Sequence, residues 1–124
     1  MLKQRLQKTV LLFFALVKVT ESTTYDKSSR WLHNIPSNIP NTTTLINLRY
    51  NSISTLDGFQ GMELPFVQKL FFGHNRFTKE SFNADFLSNM TALRILHLDS
   101  NELGGVPRFK PIEVRLRELN LGNA

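Results

Sequence analysis

The sequence predicts an open repeat solenoid of the α/β type, with short parallel strands on a concave face and loops, 3-10 turns or short helical turns returning along the convex face. Three observations predict it. An eleven-position pattern, apolar at positions 1, 4, 6 and 11 with Asn at position 9, recurs along the chain; its copies start 24 and 26 residues apart; and a partial copy begins 23 residues after the last full one.

The first segment is expected to be a leader. Residues 1–8 carry Lys3, Arg5 and Lys8, and residues 9–17 (TVLLFFALV) are apolar before Lys18 ends the run. A basic start followed by a short apolar stretch is the pattern of a secretory signal peptide. Thr20 and Ser22 suit the positions three and one before a cleavage point, so residues 1–22 are read as the signal peptide and the mature chain as starting at Thr23. The apolar run is too short for a membrane anchor, because crossing a hydrocarbon core takes roughly 20 apolar residues. The expected location is therefore secreted, in the extracellular space or matrix.

Charge and cysteine content bound the partners. The leader supplies +3 of the formal net charge of +5, which leaves +2 on the mature chain. That balance gives no strong field and no reason to expect a nucleic-acid partner. There is no cysteine, so the disulfide staples usual in small secreted domains are absent. Stability must come from stacking, glycans or partners.

Residues 23–42 are read as an N-terminal lead-in and residues 43–124 as the repeats. The first copy, TTLINLRYNSI (43–53), places Ile46, Leu48, Asn51 and Ile53 on the pattern but has Thr43 at position 1. The second, VQKLFFGHNRF (67–77), fits throughout with Val67, Leu70, Phe72, Asn75 and Phe77. The third, LRILHLDSNEL (93–103), fits with Leu93, Leu96, Leu98, Asn101 and Leu103. The partial copy begins at Leu116 with Leu119 and Leu121, and the chain stops at Ala124, where the next Asn belongs.

These residue types have physical reasons. Side chains alternate along a strand, so in a strand over positions 3–7 residues 4 and 6 point inward while 3, 5 and 7 point outward. Where the chain turns out of the strand its backbone loses its partners, and a buried amide can both donate and accept there. Asn51, Asn75 and Asn101 are expected to form such a ladder. In the return of the second copy Leu87, Met90 and Leu93 recur every third residue, the spacing of a helical or 3-10 turn. Phe77, Phe82 and Phe86 are assigned to packing. A single coil cannot cover its own apolar stripe, so about three are needed for a stable array.

Pattern and period resemble the leucine-rich repeat. The stretch IPSNIPNTTTLINLRYNSI (35–53) further resembles the start of the repeats in small leucine-rich proteoglycans and related extracellular-matrix proteins. There an Ile-Pro or Leu-Pro pair precedes a Thr-rich step into a strand ending in Asn, as Pro36, Pro40, Thr42 to Thr44 and Asn51 do here, with Val106 and Pro107 echoing the pair. The likeness covers residues 35–121. It implies binding of matrix proteins such as collagen, or of growth factors, through the concave sheet. Two departures stand out: residues 23–34 lack the cysteine cluster that caps the first repeat in that family, and no C-terminal cap follows, as in a truncated product.

The outward positions give the candidate binding surface: Leu45, Asn47 and Arg49; Lys69, Phe71 and Gly73; Ile95, His97 and Asp99; Glu118, Asn120 and Gly122, with Tyr50 and His74 beside it. Within it Asn47, Arg49, Lys69, Phe71, His97, Asp99 and Asn120 are the candidate ligand-binding residues. Position 5 forms a central row of Asn47, Phe71, His97 and Asn120, in which Phe71 is the expected anchor. The alternative for Phe71 is a local slip that buries it and turns Phe72 outward. His74, His97 and Asp99 come from only two adjacent repeats and are read as solvated polar residues rather than a metal site. Arg108, Lys110, Arg115 and Arg117 form a basic cluster diluted by Glu113 and Glu118, read as an ordinary charged face. Asn41-Thr42-Thr43 and Asn89-Met90-Thr91 are N-glycosylation sequons, with Asn89 favoured because Asn41 lies close to the first strand.

No nucleophile has a base and an orienting group, and no glycine-rich phosphate loop or recurring carboxylate pair is present. The expectation is an extracellular binding module without a cofactor and without catalysis. Two alternatives stand beside it: a truncated product that associates with a longer relative or with itself, and a fragment of an innate-immune receptor ectodomain.

Overall fold

The computed structural model describes residues 22–83, 85, 87–109 and 115–123. Residues 1–21 of the expected leader (1–22), the packing role of Phe86, and Lys110 and Glu113 of the basic cluster lie outside these residues. The described chain forms a repeat solenoid: a five-stranded sheet of β1 (Thr24–Asp26), β2 (Leu45–Asn47), β3 (Lys69–Phe71), β4 (Ile95–His97) and β5 (Glu118–Asn120), in chain order. Every neighbouring pair is parallel, with Thr24, Leu45, Lys69, Ile95 and Glu118 in one register row.

The inward positions explain the stacking. Ile46, Leu48, Leu70, Phe72, Leu96 and Leu98 are all fully buried, as are Val67 and Leu93 at position 1 and Ile53, Phe77 and Leu103 at position 11. Each such side chain contributes roughly 1.5–3 kcal/mol relative to leaving it in water. Phe72 is the buried member of its pair, so the register of β3 matches its neighbours. At β5 the inward row is less covered: Leu119 is 38% exposed and Leu121 is half-buried.

The strands are shorter than the expected positions 3–7 and occupy positions 3–5 only. The reason is the residue at position 8. Tyr50, His74, Ser100 and Asn123 all have φ between 56° and 58°, a left-handed conformation that swings the chain out of the sheet. Pairing nevertheless continues through that turn. Leu48 and Tyr50 N–H donate to Phe71 and Gly73 O (2.9 and 3.1 Å), and Phe72 and His74 N–H donate to His97 and Asp99 O (2.8 and 2.9 Å).

The solenoid also begins one coil earlier than the repeats in the sequence. β1 lies inside the lead-in, and its coil keeps the same frame: Tyr25 is buried at the position of Ile46, and Ser29 has φ 54° at the position of Tyr50. Lys27 and Ser29 N–H donate to Asn47 and Arg49 O, both at 3.0 Å, repeating the step seen in the later coils.

The returns contain no α-helix among the described residues. They are built from two 3-10 helices, Asp57–Phe59 and Lys79–Phe82, and from single turns. The every-third-residue pattern of Leu87, Met90 and Leu93 is a chain of such turns, Met90 N–H donating to Leu87 O and Leu93 N–H to Met90 O, each at 3.1 Å. Ring contacts run through the core from Phe59 to Phe72, Phe77, Phe82 and Phe109, with centroids 6.1, 4.9, 5.6 and 5.3 Å apart.

Candidate functional site

The asparagines hold the coils in line. Asn75 Nδ2 donates to Leu48 O of the preceding coil (2.9 Å) and to Phe72 O of its own (3.1 Å), while its Oδ1 accepts Ile53 N–H (3.0 Å). Asn101 repeats the set one coil on, with Phe72 O, Leu98 O and Phe77 N–H at 3.0, 3.0 and 2.9 Å. Asn51 donates to Lys27 and Leu48 O (2.9 and 3.0 Å) and accepts from both Arg30 and Leu32 N–H (3.0 and 2.9 Å). Asn75 and Asn101 are buried and Asn51 is half-buried. Each amide thus satisfies backbone groups that the turn at position 8 removes from the sheet.

This frame presents the outward row. Phe71 is half-buried rather than freely projecting, because it is sandwiched: the Arg49 guanidinium lies 5.0 Å from its ring centroid and the His97 ring stacks on it at 4.7 Å. Arg49 Nη2 also reaches His97 Nδ1 at 2.8 Å, and His97 Nε2 meets Glu118 Oε1 at 2.6 Å. This line of contacts joins the segment that follows β2 to the next three strands, β3, β4 and β5.

A second line runs beside it. Asp99 lies 4.0 Å from both Arg49 Nη2 and His74 Nε2, and His74 stacks on Tyr50 at 4.3 Å with the rings 14° from coplanar. Gly73, expected to face outward, is buried beneath Asp99. A Cβ there would stand 2.8 Å from Asp99 Oδ1, so a glycine is what lets the carboxylate sit over the sheet. Asp99 Oδ1 and Arg49 Nε are buried without a hydrogen-bond partner among the described residues.

The remaining candidates are Asn47, Lys69 and Asn120. Asn47 Nδ2 donates weakly to Asp26 Oδ2 (3.4 Å) and its Oδ1 accepts Arg49 N–H (3.1 Å). Lys69 and Asn120 are exposed, and Asn120 Oδ1 accepts Gly122 N–H at 2.9 Å. The structure therefore brings Arg49, Phe71, His97 and Asp99 together, sets Asn47 between Asp26 and the Arg49 N–H, and leaves Lys69 and Asn120 exposed. Asp26 was missed by the sequence reading because it belongs to the unread first coil. The Ser28 hydroxyl (2.7 Å), followed by the Ser28 N–H (2.9 Å), holds its carboxyl below the ordinary range. Its neighbour Tyr25 donates to Asn38 Oδ1 at 2.6 Å, and burial raises its phenol above the usual value.

Of the basic cluster, Arg108, Arg115 and Arg117 lie among the described residues. Arg108 is exposed and lines a shallow recess with Lys79, Glu80, Asn83, Val106 and Pro107. Among the described residues no three His, Asp or Glu side chains are grouped to hold a metal ion, and no helix is long and apolar enough to cross a membrane. Of the two sequons, Asn41 and Asn89 are both exposed; Thr91 is exposed, whereas Thr43 is fully buried with its hydroxyl unpartnered among the described residues. No family model and no curated protein matches the chain.

Proposed function

We propose that the chain is a secreted leucine-rich-repeat module of the extracellular-matrix type, which recognises a macromolecular partner on its concave sheet and acts by complementarity rather than by chemistry. The observation that carries this reading is the Arg49–Phe71–His97–Glu118 line: an aromatic ring held between a guanidinium and an imidazole at the centre of an open parallel sheet. Packing on both faces keeps Phe71 in one orientation before a partner arrives, which lowers the ordering cost of binding. Arg and aromatic side chains in central positions are the usual carriers of interface energy. Repeat solenoids present extended concave surfaces of this kind, and the Asn ladder supports the leucine-rich assignment within that class. Collagen and growth factors are the partners that the family resemblance points to, by analogy.

The test is capture of matrix extract proteins, collagen and growth factors on the immobilised chain, with Phe71→Ala as the concave variant and Gln60→Ala, exposed on a return, as the control. Recognition by the concave face requires that Phe71→Ala weaken retention at least tenfold while Gln60→Ala leaves it unchanged. Equal retention by all three forms would move the contact elsewhere.

A second reading, association with a longer relative or with a second copy, is favoured by β5, whose three residues are all exposed and which carries the partly uncovered Leu119. An exposed strand edge is a template for further pairing. Sedimentation over a range of concentrations separates the two, since the edge reading requires concentration-dependent assembly.

A further inference from the structure

We infer that His97 is a pH switch for the concave face: when its ring takes up a second N–H proton, Arg49 leaves it for Asp99, one face of Phe71 is uncovered, and a bound partner is released. The switch rests on the contacts among these side chains alone; the release of a partner rests on the concave recognition proposed above.

The strand register sets two outward rows. Asn47, Phe71 and His97 are Cα partners at position 5, and Arg49, Gly73 and Asp99 follow two residues later at position 7. Arg49 leans out of its own row. Its guanidinium lies over the Phe71 ring, 5.0 Å from the centroid, and puts Nη2 at 2.8 Å from His97 Nδ1. A straighter path is open along position 7, because Gly73 has no side chain and the Asp99 carboxylate sits over it. Arg49 Nη2 is already 4.0 Å from Asp99 Oδ1. Arg49 Nε and Asp99 Oδ1 are the two polar atoms of this face that are buried without a hydrogen-bond partner among the described residues. A donor and an acceptor left idle in this way oppose folding, and turning the guanidinium onto Asp99 brings them together.

The imidazole decides between the two arrangements. A guanidinium only donates, so its contact with Nδ1 needs the neutral ring, which donates at Nε2 and accepts at Nδ1. With a proton taken from solvent onto Nδ1 the ring donates at both nitrogens. The contact of Nε2 with Glu118 Oε1 at 2.6 Å survives and becomes charge-assisted. The contact with Arg49 does not: two N–H groups and two positive charges then face each other with no acceptor between them. The other charged groups here stand further off. Asp99 Oδ2 lies 4.0 Å from His74 Nε2, and Lys69 is exposed in the register row of Ile95 and Glu118. Phe71 keeps the imidazole on one face and loses the guanidinium from the other. The ring is then free to turn, which raises the ordering cost of binding. Histidine changes charge between neutral and mildly acidic pH, and the switch operates in that interval.

The experiment is an NMR titration of the full chain that follows the His97 ring, Arg49 Nε–H and the Phe71 ring. On acidification Arg49 Nε–H should move downfield and its cross-relaxation with Phe71 should vanish, both with the midpoint of His97. Neither change should occur in His97→Gln, whose amide serves Arg49 and Glu118 at every pH, and Asp99→Asn should abolish the downfield shift. His74→Asn should leave the midpoint at that of His97. Arg49 and Phe71 signals that stay fixed while His97 titrates, or that follow His74 instead, would overturn the switch. A second arm loads matrix extract proteins on the immobilised chain at about pH 7.5 and lowers the buffer to about pH 5.5. Retention should fall about tenfold or more, and the ratio between the two conditions should approach unity in His97→Gln. An unchanged retention, or the same fall in His97→Gln, would overturn release while the titration still decides the switch. No retention at either pH would overturn the concave reading and release together, and again leaves the switch to the titration.

Discussion

Arg49 and His97 stand two coils apart in sequence yet meet at 2.8 Å, Nη2 to Nδ1, across the face of Phe71. A guanidinium only donates hydrogen bonds, so Nδ1 of the neutral imidazole must accept. The proton then resides on Nε2 and is given to Glu118 Oε1 at 2.6 Å. Nitrogen-15 spectra of neutral His97 should show the Nε2–H tautomer, and Arg49→Ala should shift the population towards Nδ1–H. A predominantly Nδ1–H imidazole in the unaltered protein would contradict the contact.

Loss of the middle ladder amide should be severe. Asn75→Ala strips a partner from Leu48 O, Phe72 O and Ile53 N–H inside the core, at about 1–3 kcal/mol for each polar group left unsatisfied. Denaturant unfolding should report a loss of about 3 kcal/mol or more. Asn51→Ala, at a half-buried site, should cost less because water can replace its amide.

Gly73→Ala places a methyl 2.8 Å from Asp99 Oδ1. The carboxylate must move, weakening its approach to His74 and Arg49, and because the clash is with the far end of a part-exposed side chain the cost should lie at the low end of the roughly 1–3 kcal/mol of core overpacking. The same substitution in an Asp99→Ala background should cost less than half as much. Equal penalties in both backgrounds would locate the strain in the backbone instead.

Thr43→Val should stabilise protein prepared without glycans, by about 1 kcal/mol for removal of an unpartnered buried hydroxyl. In a domain of this size that is roughly 4–8 °C in melting temperature. A fall in the melting temperature would mean that the hydroxyl has a partner.

The pH dependence follows from two neighbours in β1. Asp26 is held below its ordinary range by Ser28, so its contribution to stability is present above the unfolded carboxylate value, near pH 4, and is lost as pH falls through the lower folded value. Tyr25 is raised by burial, so its contribution is present below the unfolded phenol value, near pH 10, and is lost as pH climbs through the higher folded value. Carbon-13 titration of the Asp26 carboxyl should give a midpoint below that of Asp26 in a Ser28→Ala variant.

How much of this was legible in the sequence differs by element. The inward rows and the asparagine positions were readable because burial repeats with a fixed period. The first coil was not: it has Lys27 and Arg30 where the pattern asks for an apolar residue and Asn, and only Tyr25 and Leu32 conform. It joins the sheet through backbone hydrogen bonds, which leave no mark on side-chain identity. The left-handed residues at position 8 were equally hidden, because Tyr50, His74 and Ser100 replace the glycine or asparagine that would announce such a turn. Phe71 was placed on the correct face but not between its two neighbours, since that requires knowing that Arg49 spans a whole coil.

The run of phenylalanine rings from Phe59 to Phe109 crosses three coils of a chain that contains no cysteine. Ring-to-ring packing is indifferent to thiol chemistry, so reductants such as glutathione have nothing in this core to cleave. The molecule should melt at the same temperature with and without them, and its shape is insulated from the redox balance of whichever compartment it passes through.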